Sequence, residues 1–269
     1  MEVVSGNITS YAAGKAAEDQ RKLLIKEEAK MNINGKKILV TGGGSGYGKG
    51  IAGVLAKCGA EVWITGRRED KLQSAAAELG VKYCCADVAS PSDWDKVISL
   101  MGGIDVLVNN AGWGGVLVPV AEQRDEDIIA TINTNLTGVI MGCSRAAKIM
   151  QQQKSGTIIN ISSVCALYAW PAWSVYTAAK AGLAKFSHGL YTELRPYGVR
   201  VTCLTPSWGQ TEFNTAANIT GASENPELAG KCTSPEELGN LVKTILETPD
   251  HLVIPDVTIQ PMVQDITPF

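Results

Sequence analysis

The chain has 269 residues, with 24 basic and 27 acidic side chains and a formal charge of −3. Hydrophobic residues at 45% against charged residues at 19% exclude an unfolded, highly charged chain, and the length suffices for a buried core in one large domain. The near-balanced charge leaves no basic footprint for nucleic acid, and no apolar run reaches the ~18 residues of a membrane span.

Residues 1–31 form an N-terminal extension in which Lys15–Lys30 is rich in helix formers and mixed charges, so a helical arm is expected there. The opening Met1-Glu2 lacks the basic-then-apolar pattern of a signal peptide. Seven cysteines, with no C-x-x-C pair, read as buried thiols of a reducing compartment, so a cytoplasmic location and no metal site are expected.

From Lys37 onward short apolar runs alternate with helical stretches. The expected strands are Ile38–Thr41, Val62–Thr65, Lys82–Ala86, Val106–Asn109, Thr157–Ile161, Val199–Leu204 and a last one at His251–Ile254. Between them lie helices at Lys49–Lys57, Asp70–Leu79, Asp93–Leu100, Asp125–Met150 and Val175–Tyr197. A further helix starts at Ser234-Pro-Glu-Glu237, which combines an N-cap, a proline at the first helical position and a capping-box glutamate. Unbroken apolar strands spaced by helices predict an α/β fold: a doubly wound, mostly parallel sheet of about seven strands with helices on both faces. Residues 32–269 are expected to form this single domain, with a substrate loop at about 206–233.

The first strand runs into Thr41-Gly-Gly-Gly-Ser-Gly-Tyr-Gly48 and then a helix. Glycines there permit a sharp turn and close backbone approach to a phosphate, while the helix N-terminus offers unpaired N–H groups to an anion. Alone, such a loop is also an ordinary glycine-rich turn. Gly48-Lys-Gly-Ile-Ala-Gly53 matches G-x-G-x-x-G but falls inside the helix. Gly43-x-x-x-x-Gly48-Lys49 nearly matches a nucleoside triphosphate loop, yet Gly50 stands where a hydroxyl must hold magnesium.

The spacing Thr41-Gly42-x-x-x-Gly46-x-Gly48 resembles the short-chain dehydrogenase/reductase family, in its compact single-domain branch. The resemblance continues through Asp87-Val88 after strand three, Asn109-Asn110-Ala111-Gly112 after strand four, Asn135 in the long helix, Ser163, and Tyr176-Thr-Ala-Ala-Lys180. It implies a Rossmann-type fold and a nicotinamide dinucleotide on the loop Gly42, Gly44, Ser45, Gly46, Tyr47 and Gly48. Asp87 and Val88 would meet the adenine, Asn110 and Gly112 would line the cleft, and Thr211 would reach the cofactor. Tyr47, where the family usually has isoleucine, would overhang it. Strand two ends in Gly66-Arg67-Arg68 where an NAD-preferring protein places an acid. Guanidinium groups suit a 2′-phosphate, so NADP(H) is favoured, through Arg67 chiefly and Arg68 in support, and NAD(H) stays open.

Tyr176 and Lys180 are four residues apart on one helical face. A free phenol has a pKa of about 10, and a neighbouring cation is expected to lower it into a useful range. By resemblance Tyr176 is the general acid/base. Lys180 would acidify it and hold the nicotinamide ribose, Ser163 would bind the substrate oxygen, and Asn135 would hold a relay water. Ser162 is the adjacent alternative to Ser163, which stands thirteen residues before Tyr176.

The segments bordering the substrate carry Trp113, Tyr168, Trp170, Trp173, Trp208 and Phe213, including four of the six tryptophans. No charge lies between Ser163 and Tyr176. A substrate pocket built from Ser163, Tyr176, Trp113, Trp170, Trp173 and Trp208 is expected to take a bulky apolar alcohol or ketone of hydroxysteroid-like or aromatic type. The family implies a homodimer or homotetramer paired through the two long helices. A non-catalytic protein that senses nicotinamide dinucleotides is the reading from another functional class, since it would need the glycine loop but not the tyrosine–lysine pair.

Overall fold

In the computed structural model, seven apolar runs become the strands of one parallel sheet: β1 (Lys37–Thr41), β2 (Glu61–Gly66), β3 (Lys82–Cys85), β4 (Val106–Asn109), β5 (Gly156–Ile161), β6 (Val199–Pro206) and β7 (Asp256–Ile259). Residues 31–213 and 225–264 are described. The expected arm helix at 15–30, part of the substrate loop (214–224) and the last five residues lie outside them. The strand order is β3-β2-β1-β4-β5-β6-β7, with every neighbouring pair parallel. The chain winds outward from β1 to β3, then returns to place β4 on the other side of β1. Such a reversal opens a crevice beyond the carboxyl ends of β1 and β4, where open α/β sheets bind ligands.

Side chains alternate between the two faces of the sheet. On one face Ile38, Val40, Ile64, Val108 and Ile159 pack under α1 (Gly46–Lys57), α2 (Glu69–Leu79) and α7 (Pro235–Leu246). On the other, Leu39, Leu107, Ile158 and Val201 pack under α3 (Pro91–Met101), α5 (Gly138–Gln153) and α6 (Ser174–Leu194). The capping box at the start of α7 is complete: Glu237 N–H donates to Ser234 Oγ at 3.2 Å, and Ser234 N–H donates to Glu237 Oε2 at 2.7 Å. Gly50, which denies the magnesium hydroxyl, has a packing role instead. A Cβ there would overlap Pro235, so its absence lets α1 and α7 cross closely.

Two expectations about elements change. The last strand is Asp256–Ile259, not His251–Ile254. Residues before it reach β6 only through single bonds, such as Cys203 N–H to the Pro255 carbonyl at 2.8 Å. Proline has no N–H for a ladder, and β7 is a half-exposed edge strand whose alternating exposure an apolar-run search passes over. The expected helix Asp125–Met150 is a continuous path made of α4 (Asp125–Ile132), a π-helical turn (Asn133–Thr137) and α5. Asn135 Nδ2 donates to the Thr131 carbonyl at 2.9 Å. A side chain thereby occupies an acceptor that the regular helical ladder would use, and the turn widens around it.

Candidate active site

Strand β1 delivers its glycine loop to the mouth of the crevice, and local packing explains its shape. Thr41 Oγ1 accepts the N–H groups of Asn110 and Ala111, each at 3.0 Å, which ties the ends of β1 and β4 together. Gly46 has φ +50°, a left-handed backbone that favours glycine, and a Cβ there would press the Thr211 side chain at 3.2 Å. Gly48 is turned inward instead: a Cβ on it would overlap the Gly42 carbonyl. Gly48 therefore seats α1 against the sheet and does not line the cleft, unlike Gly42, Gly44, Ser45, Gly46 and Tyr47. Helix α1 begins at Gly46 with no side-chain cap and no acid in its first turn, so its N–H groups and dipole face the cleft.

The cleft has a volume of about 860 Å³ and runs from the end of β2, past this loop, to the start of α6. Ser163, Tyr176 and Lys180 meet at its far end. Lys180 is buried, donates from Nζ to the Ile161 carbonyl at 2.9 Å, and stands 5.8 Å from the centre of the Tyr176 ring. Ser163 Oγ accepts the Cys165 N–H at 3.2 Å. Ser162, the adjacent alternative, donates to the Lys180 carbonyl at 3.3 Å and braces the helix.

The expected acidification of Tyr176 is not what the surroundings produce. Burial pushes the phenol above its ordinary value, the Cys165 thiol adds to the rise, and the Ser163 hydroxyl pulls the other way. Burial also pushes Lys180 down to about 8, against the upward pull of the Cys203 and Cys165 thiols. A dry site disfavours both charged forms, so in the protein alone desolvation outweighs the neighbouring ammonium.

Asn135 is wholly buried and does not line the cleft. Its amide accepts the Trp113 N–H at 3.2 Å and donates to the Trp113 carbonyl at 2.7 Å and to Thr131. The side chain thus pins the turn after β4.

At the opposite end, Gly66, Arg67, Arg68, Asp87 and Val88 line the cleft. Asp87 Oδ1 accepts the Ala89 N–H at 2.9 Å, and the Val88 carbonyl accepts the Trp94 indole N–H at 2.8 Å, which holds that wall in place. Arg68 Nη2 reaches Ser45 Oγ at 3.3 Å. Arg68, just past β2, thus brings positive charge to the loop. Asn110, Ala111 and Gly112 line the middle, and Thr211 closes over Gly46.

Trp113, Trp170, Trp173, Trp208 and Phe213 wall the end that holds Tyr176. The Trp173 and Phe213 rings lie 5.5 Å and 5.7 Å from the phenol ring. Tyr168 packs on Trp170 at 6.3 Å and stays outside the lining. Tyr47 lines the cleft, and its hydroxyl is buried beside Gly209.

Several lining residues escape the sequence reading, among them Lys71, Glu212 and Gln264. Lys71 and Glu212 come together from distant segments. Gln264 Oε1 accepts from Ser207 Oγ and, at 3.3 Å, from the Trp208 N–H, and so fixes the backbone at Ser207–Trp208. Nothing local in the sequence marks these three. Among the described residues no acidic, histidine or cysteine cluster fits a metal, and no helix is long and apolar enough to cross a membrane.

The residues present fit a dinucleotide. Cations stand at one end, an anion-accepting helix mouth in the middle, and a hydroxyl, a phenol and an ammonium at the other. The short chain dehydrogenase family profile matches residues 36–221. Serine 3-dehydrogenase of Agrobacterium fabrum is 32% identical over 241 residues, which cover 86% of this chain and 96% of that protein. The fold superposes on the closed form of serine dehydrogenase complexed with NADP+ with a TM-score of 0.79 at 28% identity, covering 87% of this chain and 98% of that one. A metagenomic short-chain oxidoreductase in complex with NADP gives 0.74 at 26% identity, over 87% and 100%. By the extent of the profile match and the near-complete coverage of its relatives, the chain belongs to the short chain dehydrogenase family.

Proposed function

We propose that this member of the family is an NADP(H)-dependent oxidoreductase that interconverts a secondary alcohol and a ketone, with Tyr176 as general acid/base. The observation that carries this reading is the convergence of Ser163 with the buried Tyr176 and Lys180 at the aromatic end of the cleft that also holds the glycine loop. Burying an ammonium and a phenol side by side opposes stability, and a site that only sensed a dinucleotide has no use for either.

When bound, the nicotinamide supplies or accepts the hydride. The remaining work is proton movement and positioning by this chain. A ketone oxygen placed between Ser163 Oγ and Tyr176 Oη is held by one hydroxyl and protonated by the other. In the reverse direction the phenolate takes the alcohol proton. The raised phenol stays protonated across neutral pH, which favours reduction there, and Lys180 steadies the charge left on the oxygen.

The choice of NADP(H) rests on Arg67, Arg68 and Lys71 around the end of β2, with no acid at Gly66. The two structural neighbours named with NADP support it. A bulky apolar substrate of hydroxysteroid-like or aromatic type is favoured by the four tryptophans and Phe213. Among the described residues at that end, Lys180 is the sole charged group, and it is turned to the Ile161 carbonyl. A free amino acid, the substrate named for the Agrobacterium relative, would find among the described residues there no cation for its carboxylate other than Lys180.

Absorbance at 340 nm, followed with NADPH and NADH over a panel of aromatic, steroid-like, amino-acid-derived and sugar carbonyl compounds, tests the proposal. Faster turnover of apolar ketones with NADPH is expected. A preference for sugars or serine-like compounds would defeat the substrate class.

A further inference from the structure

Four side chains from three separate segments meet where β2 opens into the cleft. Arg68 Nη2 lies 3.3 Å from Ser45 Oγ and 3.6 Å from Glu212 Oε2. Lys71 Nζ lies 3.6 Å from Glu212 Oε1. Glu212 arrives from the segment that follows β6, between Thr211, which packs on Gly46, and Phe213, which packs on Tyr176. Each carboxylate oxygen thus faces a different cation, the arrangement that two oxygens of a phosphate would take. All four residues line the cleft, at the end where no acid stands on Gly66.

We propose that Glu212 is a built-in competitor for the 2′-phosphate of the cofactor, holding Arg68 and Lys71 in the phosphate's place and thereby setting how strongly the protein prefers the phosphorylated dinucleotide. The inference rests on the reading that this end of the cleft takes the adenosine half of NADP(H). A dianionic phosphate and this carboxylate cannot share the two cations without repulsion. Either the carboxylate withdraws or the phosphate binds more weakly, and both outcomes lower affinity for the phosphorylated ligand alone. A ligand with a 2′-hydroxyl makes no claim on those cations and leaves the pairs intact. The pairs are roughly half exposed, so two of them give an effect of about three- to tenfold, screened by salt.

The test is calorimetric titration of 2′,5′-ADP and 5′-AMP into the wild type, Glu212→Gln, Arg68→Ala and Glu78→Gln. The last variant removes the same charge from a pair with Lys49 outside the cleft. Glu212→Gln is expected to bind 2′,5′-ADP about three- to tenfold more tightly, with 5′-AMP changed less than about twofold and the gain shrinking in high salt. An unchanged or weakened affinity for 2′,5′-ADP in Glu212→Gln, while Arg68→Ala loses it, overturns the competitor role and leaves the cofactor reading standing. An equal gain in Glu78→Gln overturns it too, since net charge would then explain the effect. If neither the wild type nor Glu212→Gln distinguishes the two ligands, both the competitor role and the NADP(H) reading fail.

Discussion

The two ends of the cleft solve opposite problems. At the aromatic end Tyr176 and Lys180 are only 5% and 3% exposed, and burial is the largest influence on both titrations. At the β2 end the side chains of Arg68, Lys71 and Glu212 are 59%, 45% and 55% exposed, so water and salt screen what they do to one another. Chemistry that needs a proton held at one atom belongs in the dry end, where each group counts almost absolutely. Discrimination between two cofactors that differ by a phosphate belongs in the wet end, where affinity is adjusted in small steps.

Tyr176→Phe gives the sharpest break. It removes one oxygen from the dry end and leaves the rings of Trp173 and Phe213 a partner of the same shape. Turnover is expected to fall by about 10²–10⁴-fold, while the affinity for NADPH, measured by fluorescence titration, changes less than about twofold. Retained turnover would mean that the phenol is packing and that the functional division between the two ends is false.

Substitutions at the wet end are expected to act on affinity and leave chemistry alone. The Arg67 guanidinium makes no hydrogen bond or ion pair among the described residues, whereas Arg68 is already engaged by Ser45 and Glu212. Arg67→Ala should therefore weaken NADPH binding the more, by about tenfold or above, and Arg68→Ala somewhat less, with NADH nearly unchanged in both. Raising the salt concentration should narrow the gap between wild type and variants. Equal losses for the two cofactors would show that the arginines hold something other than the phosphate.

The same division explains what was legible in the sequence. Strands β1, β4, β5 and β6 are buried on both faces and stand out as apolar runs, as does the glycine loop, because backbone conformation selects residue types locally. Edge strand β7 is wet on one side, so it offers no apolar run and the sequence points to His251–Ile254 in its place. The π-helical turn at Asn135 follows from one side chain's choice of acceptor, which no periodicity displays. At the site, Tyr176, Lys180 and Ser163 stand at family spacings, yet the direction of the phenol's titration depends on how deeply the folded chain buries it, which spacing does not display. The pairing of Lys71 with Glu212 is invisible in the sequence for a similar reason: each is an unremarkable surface charge until the fold brings them within 3.6 Å.

The last effect is thermodynamic, and it separates the dry end from catalysis. Burial holds Lys180 at about 8, below its ordinary 10.5, so the folded state resists the ammonium more than the unfolded chain does. Below about pH 8 the group is charged in both states, and folding carries the full penalty. Between about 8 and 10.5 the folded protein gives up the proton while the unfolded chain keeps it, so the penalty fades and stability rises with pH. Lys180→Met removes the buried charge at the expense of one bond to the Ile161 carbonyl, itself worth about 1 kcal/mol. At pH 7 the variant is expected to be inactive yet more stable by ~1–3 kcal/mol, with the advantage shrinking as pH approaches 10. Arg68→Ala, at the screened end, should show no such pH-dependent gain. Denaturant titrations at pH 7 and 10 decide it: a Lys180→Met variant no more stable than wild type at pH 7 would mean that water reaches the ammonium, and the contrast between a dry end and a wet one would fail at its foundation.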